Sequence, residues 1–149
     1  MTGPEVGPTQ GWRVLLSHHG PGESHHCYRV GHRRGIHICA RCLGLYPVLL
    51  TVVGFESAIG RFESEYRWIA AFSLVTPAII DWSRSILFEH RGSNGWRTIT
   101  GVLAGVGLGI AFGDYFRDTS CAYFWTLMGV LVTIIALVWW ARPGRAPRP

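Results

Sequence analysis

Residues 122–140 run for 19 positions without a charged side chain, close on Trp139-Trp140, and are followed by Arg142. A helix of that length crosses the hydrocarbon of a bilayer, and an interfacial tryptophan pair followed by an arginine suits the headgroup level where it would stop. A chain built around such a segment must satisfy its backbone polar groups internally, because lipid offers no partner. The rest of its apolar sequence is therefore expected to be helical.

Three further apolar stretches precede it. Residues 43–60 form the first, with Pro47 expected in its first turn, where a missing N–H does no harm, and Glu56 near its far end. Residues 68–88 form the second, in which only the first 13 positions are free of charge before Asp81 and Arg84. Residues 97–116 form the third, where Gly101, Gly105, Gly109 and Gly113 recur every four positions. Such a strip lets a second helix approach closely, either from the same chain or from a homo-oligomer or membrane-protein partner. The expected fold class is an all-α integral membrane protein with about four transmembrane helices. Residues 1–42 make a short cytosolic Cys/His-rich arm, 43–141 the bundle and 142–149 a cytosolic tail. With 48% hydrophobic residues, 15% charged and 19 glycines, the composition argues against an average soluble domain.

All 14 basic residues are arginine, and they gather where apolar segments end. That placement points to the bilayer as partner and away from nucleic acid. Four spans put both termini on one side. Arg13, Arg29, Arg33, Arg34, Arg41, Arg84, Arg91, Arg97, Arg142, Arg145 and Arg148 then share that side, against Arg61, Arg67 and Arg117 on the other, so eleven of 14 lie with the termini. The positive-inside rule makes the termini cytoplasmic, in the cell membrane. Three spans would send the tail outside and break this asymmetry. Residues 1–30 carry no export pattern, so the arm is expected in the cytosol, with reduced thiols or metal thiolates.

The strongest chemical signal is Cys39-Ala40-Arg41-Cys42 at the entry to the first span, led in by Ile36-His37-Ile38, a candidate short strand. A Cys-x-x-Cys pair lets two thiolates bind one metal, and a helix beginning near Leu45 would point its positive end at the sulfurs. Zinc is the expected ion. Cys27 is the third ligand of choice, and His19, then His26, the fourth. A redox dithiol or two unrelated buried cysteines are the competing readings. Leu43 after Cys42 excludes the Cys-x-x-Cys-His pattern of covalent haem. Cys121, at the opposite membrane face, is expected to be structural.

Asp81 has two readings, an intramembrane acid, base or ligand near the metal, or the counter-ion of Arg84 one helical turn on. Arg91, Ser93, Asn94 and Arg97 form a donor-rich stretch able to hold a phosphate-bearing lipid head, or else simply follow the charge rule for topology. Glu56 and Asp114 are expected near the outer face, solvated.

Cys39-Ala-Arg-Cys-Leu-Gly-Leu-Tyr46, Asp81 after Pro77-Ala-Ile-Ile, and Ser93-Asn94-x-x-Arg97-x-x-Thr100-Gly101 together resemble a family of small prokaryotic integral membrane proteins of unknown function, over roughly residues 27–109. The resemblance implies several helices, the cysteine signature at the first, an Asp in the second and the Asn-x-x-Arg-x-x-Thr-Gly start of the third. It supplies no reaction. The family pattern carries a Cys-His pair upstream, whereas this chain reads His26-Cys27-Tyr28, which leaves the histidine ligand open between 18–19 and 25–26. Three functions are compatible with the sequence. The first is a membrane module or complex subunit with structural zinc. The second is a zinc enzyme acting on a phosphate-bearing lipid or polyprenyl head group, with Asp81 catalytic and Arg91, Asn94 and Arg97 binding the head. The third is a small ion or solute transporter using Asp81 and Glu56.

Overall fold

A computed structural model describes residues 27–30, 36–60, 65–88 and 92–141. Two short strands, β1 (Cys27–Val30) and β2 (Ile36–Cys39), pair antiparallel, with Cys27 opposite Cys39 and Tyr28 opposite Ile38. The strand expected at 36–38 is present, and β1 is its partner. Four long helices follow: α1 (Ala40–Ile59), α2 (Arg67–Leu87), α3 (Asn94–Arg117) and α4 (Ala122–Trp140). The all-α membrane architecture is thus present, with a two-stranded ribbon at its entry. By length and composition α1, α3 and α4 can cross a membrane. Arg67, Asp81 and Arg84 lower the apolarity of α2, the second of the four segments expected to span.

β2 runs directly into α1, so the helix begins at Ala40, five residues before the Leu45 start expected from sequence. Cys42 therefore lies in the first helical turn, and Pro47 lies inside the helix instead of opening it. An interior proline leaves one carbonyl of the preceding turn without its N–H partner, a cost that packing and side-chain hydroxyls absorb in membrane helices. Thr51 Oγ1 donates to the Pro47 carbonyl at 2.8 Å. α1 ends at Gly60, whose φ of 99° is the left-handed conformation that glycine adopts without steric cost.

α3 is the axis of the bundle. Half of its most apolar stretch is buried, against 11% in α1 and 17% in α4. Its glycine strip is taken up within the chain. A Cβ on Gly105 would stand 2.6 Å from the Leu45 carbonyl, and one on Gly109 2.7 Å from Val52 Cβ, so α1 lies against the bare backbone along this face. Gly101 and Gly113 meet Arg41 and Glu56 in the same way. Of the two uses expected for the strip, the intrachain one is realised, and the face proposed for a second copy is covered by α1. Gly107, on another face, admits α2 at Ala71 and Val75. Close backbone approach of this kind supplies dispersion contacts where lipid provides little hydrophobic drive.

α4 attaches through an aromatic cluster at the far end of α3. The ring of Tyr115 stacks on that of Phe124 at 4.4 Å, Phe112 meets Phe124 edge-on at 5.2 Å, and Ala111 and Leu127 lie beneath them. Cys121 packs against this cluster, as its structural reading anticipated. Elsewhere the surface is apolar: Leu43, Leu50, Phe55 and Ile59 on α1 and Val132, Ile135 and Leu137 on α4 are exposed. Hydroxyls on the helices are closed off locally, as where Thr126 Oγ1 and Thr133 Oγ1 donate to the Ala122 and Gly129 carbonyls at 2.8 Å each. Such back-bonding removes unpaired donors from lipid.

Candidate functional site

Three cysteines meet where β1, β2 and α1 join. Antiparallel register sets Cys27 directly across from Cys39, and the helical turn that starts at Ala40 brings Cys42 into a hydrogen bond with Cys39. Cys39 is buried, Cys27 and Cys42 are partly so, and all are free thiols. Burial pushes the Cys27 thiol above its ordinary range, the adjacent Cys39 adds to this, and Arg97 acts in the opposite sense. Cys39 caps α1 without a side-chain hydrogen bond, which leaves the positive end of that helix at the sulfurs. Among the described residues no three His, Cys, Asp or Glu side chains are arranged to hold a metal ion. His19 and His26, the expected fourth ligands, lie outside the described residues, as does Arg91.

Beside the cysteines, one charged side chain from each of α1, α2 and α3 converges. Arg41 Nη2 donates to Asp81 Oδ2 in a close ion pair, and Arg97 lies within electrostatic range of Arg41, Asp81, Cys39 and Cys27. Asp81 and Arg97 are 8% and 4% exposed, so this is a buried group and not a solvated loop. Arg84 is not the counter-ion of Asp81, because the carboxylate points across to α1 and Arg84 remains exposed. Arg41 lies inside the cysteine signature itself, yet its charge carried only topological weight in the sequence. An arginine between two thiols at a helix start was the available signal for its inward role.

The positions of the third-helix residues are also specific. Ser93 caps α3, its Oγ accepting from the Trp96 N–H at 3.2 Å, so its hydroxyl has a structural duty. Thr98 Oγ1 donates to the Ala40 carbonyl at 3.1 Å and stands 3.4 Å from the Tyr28 hydroxyl, which ties β1, α1 and α3 together. Among the described residues, Arg97 Nε and Nη2, Arg41 Nε and Asn94 Oδ1 are buried with no hydrogen-bond partner. Next to them a cleft of about 360 Å³ is lined by Pro77, Ile80, Asp81, Arg84, Gly92 and Trp96.

A second cluster occupies the opposite ends of the same three helices. Arg67 of α2 donates to both carboxylate oxygens of Glu56 on α1, at 2.8 and 2.9 Å, and to Asp114 on α3 at 3.0 Å. Glu56 and Asp114 are 7% and 3% exposed, which corrects the expectation that they are solvated. Gly113 opens the space that the Glu56 carboxylate fills, and Arg117 Nη2 donates to the Glu56 carbonyl at 2.6 Å. Each helix thus carries opposite charges at its two ends, with signs that alternate from helix to helix.

The model of a family described as "Predicted membrane protein (DUF2085)" matches residues 25–111, more than half of the chain, which therefore belongs to that family. Neither the curated proteins nor the solved structures contain a match.

Proposed function

We propose that this member of the predicted membrane protein family is a multi-pass module in which a zinc ion joins the N-terminal arm to the cytoplasmic end of the helix bundle. The observation that carries the reading is the convergence of Cys27, Cys39 and Cys42 from two strands and a helix start. Three sulfurs at one junction form a donor set that zinc favours, and the neighbouring helix end and Arg97 oppose the build-up of negative charge on thiolates. His19 or His26 would complete four-coordination. A closed shell of that kind makes the metal structural, and the module serves as a scaffold or subunit for other membrane components.

The transporter reading has less support. Asp81 and Glu56, its candidate ion ligands, are each paired with an arginine from another helix, and the two clusters stand about 22 Å apart by the 15-residue rise from Arg41 to Glu56 on α1. Elemental analysis of the purified full chain should find about one zinc per protein, as expected for a single four-coordinate site. The double variant Cys39→Ser/Cys42→Ser, checked for retained helix content by circular dichroism, should lose it, and so should Cys27→Ser. Metal content that is unchanged in these variants, or absent from protein purified without chelator, rules the reading out.

A further inference from the structure

We propose that the cleft between α2 and the start of α3 binds a phosphate group, carried on a membrane lipid or free in solution. The inference does not depend on the metal site; it starts from charge balance. The outer cluster holds two carboxylates and Arg67, and Arg117 sits against the same segment of α1, so its charges close. The cluster near the cysteines holds Arg41, Arg97 and Asp81, two cations to one anion. Arg41 takes the carboxylate. Arg97 is then a guanidinium, 4% exposed, with Nε and Nη2 lacking any partner among the described residues.

An uncompensated cation at that depth is costly, and a ligand anion removes the cost. The free Nε of Arg97 faces the cleft, since a Cβ built on Gly92, which lines it, would stand 3.7 Å from that atom and 3.5 Å from Asp81 Oδ1. The absent side chain leaves a hollow that a ligand atom can fill. Arg84 on the cleft wall adds a second cation that has no ion-pair partner among the described residues. The first turn of α3 adds the positive end of a 24-residue helix. Two guanidinium groups and a helix start match a tetrahedral oxyanion with several acceptor oxygens better than a lone carboxylate. The remaining walls, Pro77, Ile80 and the half-exposed Trp96, are apolar, so the cleft suits a group that has hydrocarbon beside its phosphate.

The test uses the purified full chain in an uncharged maltoside detergent, with calorimetric titration of inorganic phosphate, phosphatidic acid and phosphatidylcholine. Phosphatidic acid should bind, with phosphatidylcholine at least about tenfold weaker, because its quaternary ammonium opposes the arginines. Arg84→Gln and Gly92→Leu should each weaken binding about tenfold, a change near 1.4 kcal/mol. Arg117→Gln, which removes the same charge at the opposite end, should leave it unchanged. A tenfold or greater preference for phosphatidic acid over inorganic phosphate identifies a lipid headgroup as the ligand, and equal affinity identifies free phosphate. Both outcomes support the site. It is overturned if neither phosphate source binds, if Arg84→Gln and Gly92→Leu bind like the parent protein, or if Arg117→Gln loses as much as Arg84→Gln. Because Arg84 is exposed and Gly92 lies outside the helices, these variants keep the test independent of folding, which Arg97→Gln would not.

Discussion

At the scale of single residues, Asp81 separates two accounts of charge in a membrane helix. A carboxylate one turn from an arginine on the same helix invites an intrahelical pair, but such pairs contribute a few tenths of a kcal/mol and need both side chains on an accessible surface. In the folded chain Asp81 turns inward to Arg41 on α1. Replacing it by Asn leaves two buried guanidinium groups without a carboxylate, so Asp81→Asn should cost about 3 kcal/mol, as breaking buried pairs does. Arg84→Gln should cost less than about 0.5 kcal/mol, as surface changes do. Denaturant unfolding in detergent measures both. Equal losses would reinstate Arg84 as the counter-ion. The paired replacement Arg41→Met/Asp81→Leu should cost less than Asp81→Asn alone, because it removes the stranded charge together with its partner.

At the scale of elements, the glycines of α3 are matched to particular neighbours, and equivalent substitutions should have opposite signs. Gly129 on α4 has no atom within 4 Å of where a Cβ would stand, so Gly129→Ala should raise stability by up to about 1 kcal/mol through helix propensity. Gly105→Val places a branched side chain where Leu45 O already stands 2.6 Å from the Cβ position, and should cost 2 kcal/mol or more, in the manner of overpacking. Thermal unfolding of the two variants provides the comparison, and destabilisation by both would show that glycine identity matters for a reason other than helix contact. The period-four spacing made a smooth strip legible in the sequence. Which helix fills it was not, because the strip specifies only that its neighbour comes close.

At the scale of the whole molecule, the alternation of charge between helix ends suggests how register is set along a bundle whose faces are otherwise apolar. Arg41, Asp81 and Arg97 meet at one end, and Glu56, Arg67 and Asp114 at the other, so a helix inserted one turn out of step would strand a charge at each end. With both termini cytoplasmic, the connection from α3 to α4 faces outward. A single cysteine at exposed Thr119→Cys should react with an impermeant thiol reagent on intact cells, in a background lacking the native cysteines, whereas Pro147→Cys should be protected. The reverse labelling pattern would invert the orientation, and labelling of both would require an odd number of spans.

The sequence by itself determined the class of protein, since long apolar runs leave the backbone no partner but its own helix, and it determined where the cysteines, the glycine strip and the charged helix ends fall along the chain. It also carried the family resemblance, in motifs that are local. Tertiary structure alone decided the partners. Cys27 reached Cys39 through strand register, α1 began early because β2 feeds straight into it, Asp81 chose Arg41 over Arg84, and Glu56 and Asp114 went from expected solvent to buried pairing around Arg67. Each of these depends on which faces of separate helices meet. That is a property of close packing between distant segments, and a linear pattern of residues specifies it only once those segments are brought together.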